Sequence, residues 1–292
     1  MNNWVLYGLT VLIWGSTWIG IKYQLGVVDP MASIGHRFFL SAVLIWIFLL
    51  LRRTPMRLAL RDHPFLLAQG FCLFCANYYF VYHAELVLTS GLVAVVFGSL
   101  MLFNVINGAL FLSIKIQRGV VVGGVLGMTG IAAVFWPELN ALNLDDENFV
   151  ALLFCLAGTA LASFGNIIAA RNTLREIPVL VTNAWAMGYG ALMMYAAALA
   201  SGVEIAVEWT ASYLLSLAYL VIFGSIVAFW AYLTLIGRIG ADRAGYANLV
   251  FPLVALIIST LLEGYQWSVS ALMGMALVVL GNWLVMRSSR SA

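Results

Sequence analysis

Charged residues are scarce in this chain. Asp, Glu, Lys and Arg make up only 9% of its 292 residues, whereas about a quarter of the residues are charged in an ordinary soluble domain. Hydrophobic residues make up 64%, and the mean hydropathy is +1.01. This composition excludes a soluble globular domain and indicates a protein that is embedded in a membrane almost throughout.

Cysteines and catalytic motifs are also few. Cys72 and Cys75 are spaced as C-x-x-C, but they lie in a charge-free apolar run and are interpreted as small packing residues. No G-x-x-x-x-G-K-[ST] motif for ATP hydrolysis occurs. A membrane enzyme would need paired carboxylates, a metal cluster or a nucleophile with its base at one membrane depth. The sequence has none, so we expect no enzyme activity, no metal and no cofactor.

The chain does contain long apolar runs. Each has roughly 20 residues, which lets a helix cross about 30 Å of hydrocarbon. The ten runs are 4–22, 32–51, 65–86, 89–113, 119–136, 148–170, 178–201, 210–236, 243–262 and 267–286. The connections between them are too short to fold as separate domains. The sequence therefore predicts an all-α polytopic membrane protein with ten transmembrane helices.

Lys and Arg residues concentrate on one side of these predicted spans. With a cytoplasmic N-terminus, all of them except Lys22 and Arg37 fall in inside connections. Basic residues in short loops stay on the cytoplasmic side, so we expect both termini there, in a multi-pass protein of the bacterial inner (plasma) membrane. The basic residues form no single patch, so we expect no nucleic-acid partner. The expected partners are the lipid bilayer and a small-molecule substrate.

The ten runs divide into two sets of five that align with an offset near 150 residues. The matched positions are Lys22 with Arg171, Asp29-Pro30 with Pro178-Val179, and the glycines Gly123 and Gly130 with Gly274 and Gly281. Because five is odd, the second set must be inverted. We expect a first repeat at 1–140 and an inverted repeat at 141–292. Inverted repeats are typical of secondary transporters, whose substrate site lies near the midplane where the halves meet.

Several short motifs carry a family resemblance. They are Trp14-Gly15-Ser16-Thr17, Asp29-Pro30, Arg37-Phe38, Pro252, Glu263-Gly264, Gly274 and Gly281. With them the chain resembles the EamA-type ten-helix branch of the drug/metabolite transporter superfamily, over its full length. Its aromatic-rich runs are most similar to the YddG-type bacterial exporters of aromatic amino acids. The resemblance implies a pathway surrounded by helices one, three, four, six, eight and nine. Residues 4–21 contain no acid, so proton antiport through a first-helix glutamate does not carry over.

Polar and aromatic residues at membrane depth are the candidates for substrate binding, because lipid-facing positions are apolar. Tyr78 and Tyr82 lie one turn apart on one face of the third run, and the alternative for them is an interfacial aromatic belt. The other candidates are Trp18, Ser99, Asn166, Tyr246 and Asn248. For these, helix packing and interhelical hydrogen bonds are the alternative.

Arg37 is the one charge that the sequence places well within a span. Its burial needs a partner, and Glu85 and Glu263 at the outer ends of two runs are candidates. We expect a structural ion pair, with an outer gate or carboxylate recognition as the alternative. The remaining candidates are neutral and largely aromatic, which suits a solute with a flat apolar part.

The sequence thus predicts a secondary transporter of amino acids, with aromatic or other apolar ones favoured. A multidrug or other metabolite exporter of the same fold is the alternative. No acid is expected at mid-depth, so a facilitative mechanism is the simplest, although His36 or His83 leaves proton coupling open. A small-residue stripe at Gly119, Gly123 and Gly127 predicts close packing, either within the chain or in a homodimer through peripheral helices.

Overall fold

The computed structural model describes residues 1–24, 26, 28–88, 93, 96–141, 146–263 and 267–288. These residues form helices and short connections, and no strand occurs among them. The longer helices, labelled in chain order, are α1 Asn3–Lys22, α2 Pro30–Leu51, α3 Leu60–Glu85, α4 Leu100–Leu112, α5 Arg118–Val134, α6 Asp146–Leu174, α7 Val179–Ala200, α8 Ala211–Ile239, α9 Ala247–Glu263 and α10 Val269–Ser288. The all-α prediction is confirmed for this part of the chain.

The lengths and surfaces of the helices suit a membrane. In the part of the chain that the structure describes, six helices are long and apolar enough to cross one: Pro30–Leu51, Leu60–Glu85, Glu147–Leu174, Ala211–Ile239, Ala241–Ile258 and Val269–Arg287. Val96–Leu112 and Arg118–Val134 are shorter apolar helices. Large apolar side chains such as Leu110, Leu199 and Leu215 are exposed, as a lipid-facing surface requires. The count of ten crossings and the cytoplasmic location of the termini stay predictions.

Local sequence determines where two of the long helices begin. The Asp29 carboxylate accepts a hydrogen bond from the backbone N–H of Met31, and Pro30 occupies the first turn of α2. At the start of α8, the Thr210 hydroxyl accepts from the backbone N–H of Tyr213. Side chains of this kind satisfy N–H groups that have no partner within the helix.

The third helix of each half contains a π-helical segment. In α3 it covers Cys72–Ala76, and in α8 it covers Leu220–Val227. Adding the repeat offset of about 150 residues to 72–76 gives 222–226, inside the second segment. Such wider turns alter which carbonyls point out of the helix, and they recur at functional sites. Cys72 and Cys75 are free and lie in the first segment, among packed side chains.

Contacts between helices repeat from one half to the other. The helix α1 packs against α8 and α9, and α6 packs against α3 and α4. The helix α2 packs against α7, and α5 packs against α10. Each contact has a counterpart in the other half: α1 with α8 and α9 corresponds to α6 with α3 and α4. A duplicated five-helix unit produces this pattern. The repeat boundary near 140 and the inversion stay predictions.

Glycines bring α5 and α10 together. A Cβ added at Gly123 would lie 2.7 Å from the Gly281 carbonyl oxygen, and one at Gly130 would lie 2.6 Å from that of Gly274. Only glycine permits so close a backbone approach. The order of these pairs makes the two helices antiparallel. The glycine face of α5 is therefore occupied within the chain, and a homodimer through other peripheral faces stays a prediction.

The two largest clusters of buried apolar side chains among the described residues follow from this arrangement. The larger one joins buried side chains of α1, α2, α3, α6, α7, α8 and α9. The second joins α5 and α10 to the facing sides of α4 and α9. Because α5 and α10 pack mainly against each other, they lie to one side of the helices that form the larger core.

Candidate substrate-binding site

A cavity lies among helices of both halves of the chain. Its volume is about 90 Å³, and one water molecule needs roughly 10–15 Å³ on the same measure. Its lining residues are Trp14, Thr17, Ile21, Arg37, Leu73, Asn77, Tyr78, Val81, Tyr82, Glu85, Phe97, Leu100, Ala162, Asn166, Phe229, Tyr232, Asn248 and Phe251. The space holds several water molecules or a small organic solute, and neither α5 nor α10 contributes to this lining.

Aromatic rings form much of the cavity wall. The Trp14 ring lies 4.8 Å from that of Tyr232 and 5.1 Å from that of Phe229. The Tyr78 ring lies 6.1 Å from that of Tyr82. These separations fall in the range of favourable edge and offset contacts. The walls therefore present rigid apolar faces to a solute.

Arg37 is held in the cavity wall by α8. Its side chain is 1% exposed, and Nε donates to Ser225 Oγ at 2.8 Å while Nη2 donates to the Gly224 carbonyl at 3.3 Å. A Cβ added at Gly224 would lie 3.2 Å from Nη2 and 2.9 Å from a methyl carbon of Thr17. The glycine in the π-helical segment thus makes room for the guanidinium. The Arg37 guanidinium carbon also lies 5.1 Å from the centroid of the Tyr78 ring.

The structure does not pair Arg37 with Glu85. Among the described side chains, no carboxylate lies within ion-pair distance of Arg37, and its Nη1 is buried without a hydrogen-bond partner. Glu85 lines the same cavity, and its Oε1 is likewise buried and unpartnered. The side chain of Glu263 lies outside the described residues. The sequence predicted that the cavity residues other than Arg37 are neutral, but Glu85, at the end of α3, also lines the cavity.

Three asparagine amides and one tyrosine hydroxyl form a hydrogen-bonded cluster beside the cavity: Asn104, Asn166, Asn248 and Tyr232. Asn166 Nδ2 donates to Asn104 Oδ1 at 3.3 Å and to the Tyr232 hydroxyl at 3.2 Å. Asn248 Nδ2 donates to the same hydroxyl at 3.3 Å. Oδ1 of Asn166 and Oδ1 of Asn248 are left buried without a partner. Two residues of the cavity lining therefore each have a hydrogen-bond acceptor without a partner.

Six of the residues singled out from the sequence line this cavity together: Arg37, Tyr78, Tyr82, Glu85, Asn166 and Asn248. They come from α2, α3, α6 and α9, so the fold brings together side chains that are far apart in the chain. Tyr82 is 1% exposed and Tyr78 is partly buried. Both tyrosines lie against other rings of the protein, which does not fit the alternative of an interfacial belt.

Two other candidates lie elsewhere. Ser99 Oγ donates to the Val96 carbonyl of its own helix at 2.6 Å. The Tyr246 hydroxyl lies between α5 and α10, 3.2 Å from the Gly123 carbonyl oxygen and 3.0 Å from that of Val278. Neither residue is among those that line the cavity. The side chain of Trp18 lies outside the described residues.

Several lining residues were not predicted from the sequence, notably Trp14, Phe229, Tyr232 and Asn77. Tyr232 could have been predicted, because it lies 150 residues after Tyr82, which is the offset between the two sets of runs. Trp14 precedes Trp18 by one helical turn and shares its face. Within the residues described, no group of three or more His, Cys, Asp and Glu side chains suits a metal ion.

A model of the EamA-like transporter family matches residues 2–136 and 148–287 of this chain. The chain belongs to the EamA-like transporter family. Similar relatives include the uncharacterized inner membrane transporter YedA of Escherichia coli (strain K12), which is 30% identical over 281 residues, 94% of this chain and 87% of YedA. A probable amino-acid metabolite efflux pump of the same organism is 24% identical, covering 96% of this chain and 93% of that protein.

More distant matches agree on the fold. An uncharacterized transporter of Archaeoglobus fulgidus is 23% identical over 98% of this chain and 99% of its own length. A solved crystal structure superimposes with a TM-score of 0.82 over 98% of this chain and 96% of that chain, at 15% identity. This EamA-family protein is a membrane transporter, and it is a multi-pass protein of the inner membrane.

Proposed function

We propose that this EamA-family transporter is a secondary carrier that exports amino acids, with aromatic and other apolar ones preferred. One observation carries the proposal: a cavity lined by both halves of the chain combines aromatic walls with buried polar groups that lack partners. Ligand sites typically pair a mostly apolar lining with a few polar groups that orient the solute. An apolar amino acid needs this combination of surfaces.

The position of the cavity supports alternating access. Its lining residues come from α1, α2, α3 and α4 of the first half and from α6, α8 and α9 of the second. A movement of one set of helices against the other would change which end of the cavity is open. The relative named as a probable amino-acid metabolite efflux pump supports the same substrate class and direction.

The alternative from the sequence, a proton-coupled exporter of drugs or other metabolites, has one observation in its favour. Glu85 is a carboxyl group in the cavity wall with a buried, unpartnered oxygen. A carboxylate beside aromatic rings suits a cationic amphipathic solute, and it is also a group that can carry a proton.

Purified protein in liposomes separates the two functions. Uptake of phenylalanine, tryptophan, leucine, glutamate and a cationic drug is measured with and without an imposed pH gradient, against protein-free liposomes. We expect uptake of the aromatic and apolar amino acids without a gradient, and little uptake of glutamate. Uptake of the drug alone, only in the presence of a pH gradient, would establish the alternative.

A further inference from the structure

Arg37 lines the cavity and has one hydrogen-bond donor without a partner. Two of its nitrogens donate to Ser225 and to the Gly224 carbonyl, while Nη1 has no partner in a side chain that is 1% exposed. A buried charge without a counter-charge is costly. Since none of the described carboxylates pairs with Arg37, the cavity has a place for an anion.

The guanidinium is also fixed before any solute arrives. Ser225 and Gly224 hold one edge of its plane, and the Tyr78 ring lies 5.1 Å from its carbon. A planar, fixed guanidinium matches a carboxylate, and little side-chain freedom is lost when the two meet. Arg37 therefore has the chemistry of a carboxylate site.

A second set of groups in the same cavity is complementary to a cation. Glu85 Oε1 is buried without a partner, and so is Oδ1 of Asn77, two helical turns earlier on α3. An ammonium group has three donors and needs acceptors for them. Arg37 and Glu85 line one cavity without pairing with each other, so one polar atom of each remains without a partner, a place that a solute could take.

From these contacts we propose that the cavity recognises the zwitterionic head of an α-amino acid. Arg37 binds the carboxylate, Glu85 binds the ammonium group, and the rings of Trp14 and Phe229 contact the apolar side chain. This assignment rests on the proposed function and adds a selection rule to it. A solute that has only one of the two charges leaves the other buried charge unpartnered.

Binding to the purified wild-type protein tests this rule without any substitution. The probes are phenylalanine, 3-phenylpropionate, which lacks the ammonium group, and phenethylamine, which lacks the carboxylate. We expect phenylalanine to bind at least about tenfold more tightly than either, because a hydrogen bond between charged groups contributes a factor of that size. Equal affinities for the three probes would overturn the proposal.

Two variants assign the charges. Arg37→Gln should weaken phenylalanine and 3-phenylpropionate by about tenfold or more and leave phenethylamine unchanged, whereas Glu85→Gln should weaken phenylalanine and phenethylamine and leave 3-phenylpropionate unchanged. The matched controls Arg175→Gln and Glu204→Gln alter exposed residues outside the cavity and should change none of the affinities. An equal loss for all three probes in Arg37→Gln would mean that Arg37 acts only by holding Ser225.

The outcomes distinguish this proposal from the proposed function. Where Arg37→Gln does not fold, Arg37→Lys keeps the charge without the planar fork, and the wild-type probe series still decides. Charge-dependent binding without amino-acid transport in liposomes would refute the function and uphold the recognition site. Amino-acid transport with no preference for the zwitterion would uphold the function and refute the site. Failure of the wild-type protein to bind any of the three probes would refute both.

Discussion

The Arg37 guanidinium and the Tyr78 ring face each other in the cavity wall, with the guanidinium carbon 5.1 Å from the ring centroid. This contact joins α2 to α3 by a cation–π interaction. Tyr78 therefore has two roles, since it supports the orientation of Arg37 and also presents an aromatic surface to the cavity. Loss of its ring should affect substrate binding more than overall folding.

We predict that Tyr78→Ala and Tyr82→Ala each lose most transport of aromatic amino acids while still reaching the membrane. Each ring offers a contact of about 0.5–1.5 kcal/mol beyond simple burial, so the apparent affinity should fall by a few-fold to about tenfold. The measurement is phenylalanine uptake by proteoliposomes that contain equal amounts of folded protein.

The control for these substitutions is Tyr23→Ala, because Tyr23 is 60% exposed and lies outside the cavity. Tyr7, whose place at the inner end of α1 suggests an interfacial tyrosine, is unsuitable. It is 6% exposed, and its hydroxyl donates to Asn282 Oδ1 at 3.1 Å. Wild-type uptake by well-folded Tyr78→Ala and Tyr82→Ala would place the binding site elsewhere.

A second prediction separates cavity residues from packing residues. Tyr232→Phe removes a hydroxyl that accepts from Asn166 and Asn248, so it should cost about 1–3 kcal/mol of stability and also lower phenylalanine affinity. Tyr246→Phe removes a hydroxyl that contacts carbonyls of α5 and α10, so it should lower stability alone. Thermal unfolding in detergent and phenylalanine binding measure the two effects. A change of affinity only in Tyr246→Phe would contradict the assignment of the site.

Matching positions in the two sets of five runs made part of the structure predictable from the sequence. The alignment matched Gly123 and Gly130 with Gly274 and Gly281, and these four residues do pack together. They meet crosswise, Gly123 with Gly281 and Gly130 with Gly274, because α5 and α10 are antiparallel. Depth along a span was equally informative, since Tyr78, Asn166 and Asn248 all line the cavity.

The choice of neighbour could not be predicted in the same way. Depth and periodicity give the height and the face of a residue, but they do not say which helix lies opposite. Arg37 was expected to pair with Glu85 or Glu263. It does not pair with Glu85 but bonds to Ser225 and to a carbonyl of the π-helical segment of α8, and the pairing with Glu263 stays a prediction. Tyr246 was expected in the cavity. Its hydroxyl instead donates to backbone carbonyls of α5 and α10, which the glycines of these helices leave uncovered.

The contact between α5 and α10 supplies a third prediction. Gly123→Leu should destabilise the protein by about 1–3 kcal/mol or more, because the added side chain meets the backbone of Gly281, which cannot move aside as a flexible side chain would. Gly8→Ala in α1 is the control, since nothing lies within 4 Å of the added Cβ, and it should be neutral or slightly stabilising. Thermal unfolding in detergent distinguishes them, and equal stability of the two variants would refute the glycine contact.

The fourth prediction concerns topology. In a variant without Cys72, Cys75 and Cys155, a cysteine is introduced either at Ala141, between the predicted repeats, or at Leu60, which is 88% exposed. A membrane-impermeant maleimide added to intact cells should label Ala141→Cys and spare Leu60→Cys until the cells are opened. The reverse pattern, or labelling of both, would rule out ten spans with cytoplasmic termini.

The last prediction concerns energy coupling, and we expect amino-acid flux that needs no proton or sodium gradient. Neither His36 nor His83 lines the cavity. His36 lies 2.8 Å from the Tyr195 hydroxyl and donates to the Ala206 carbonyl, while His83 donates to the Tyr79 carbonyl. Both imidazoles thus form hydrogen bonds within the protein and do not line the cavity. A residue that couples transport to protons would have to respond to the bound solute.

Glu85 is the acidic residue that lines the cavity. The test of a facilitative mechanism is therefore whether Glu85 couples transport to protons. In the facilitative case Glu85 meets the ammonium group of the solute and neither takes up nor releases a proton during the cycle, so transport moves no net proton. Phenylalanine counterflow in liposomes should therefore proceed at the same rate with and without a pH gradient. A phenylalanine-dependent proton current that disappears in Glu85→Gln, but persists in His36→Ala and His83→Ala, would contradict this and make Glu85 the coupling residue.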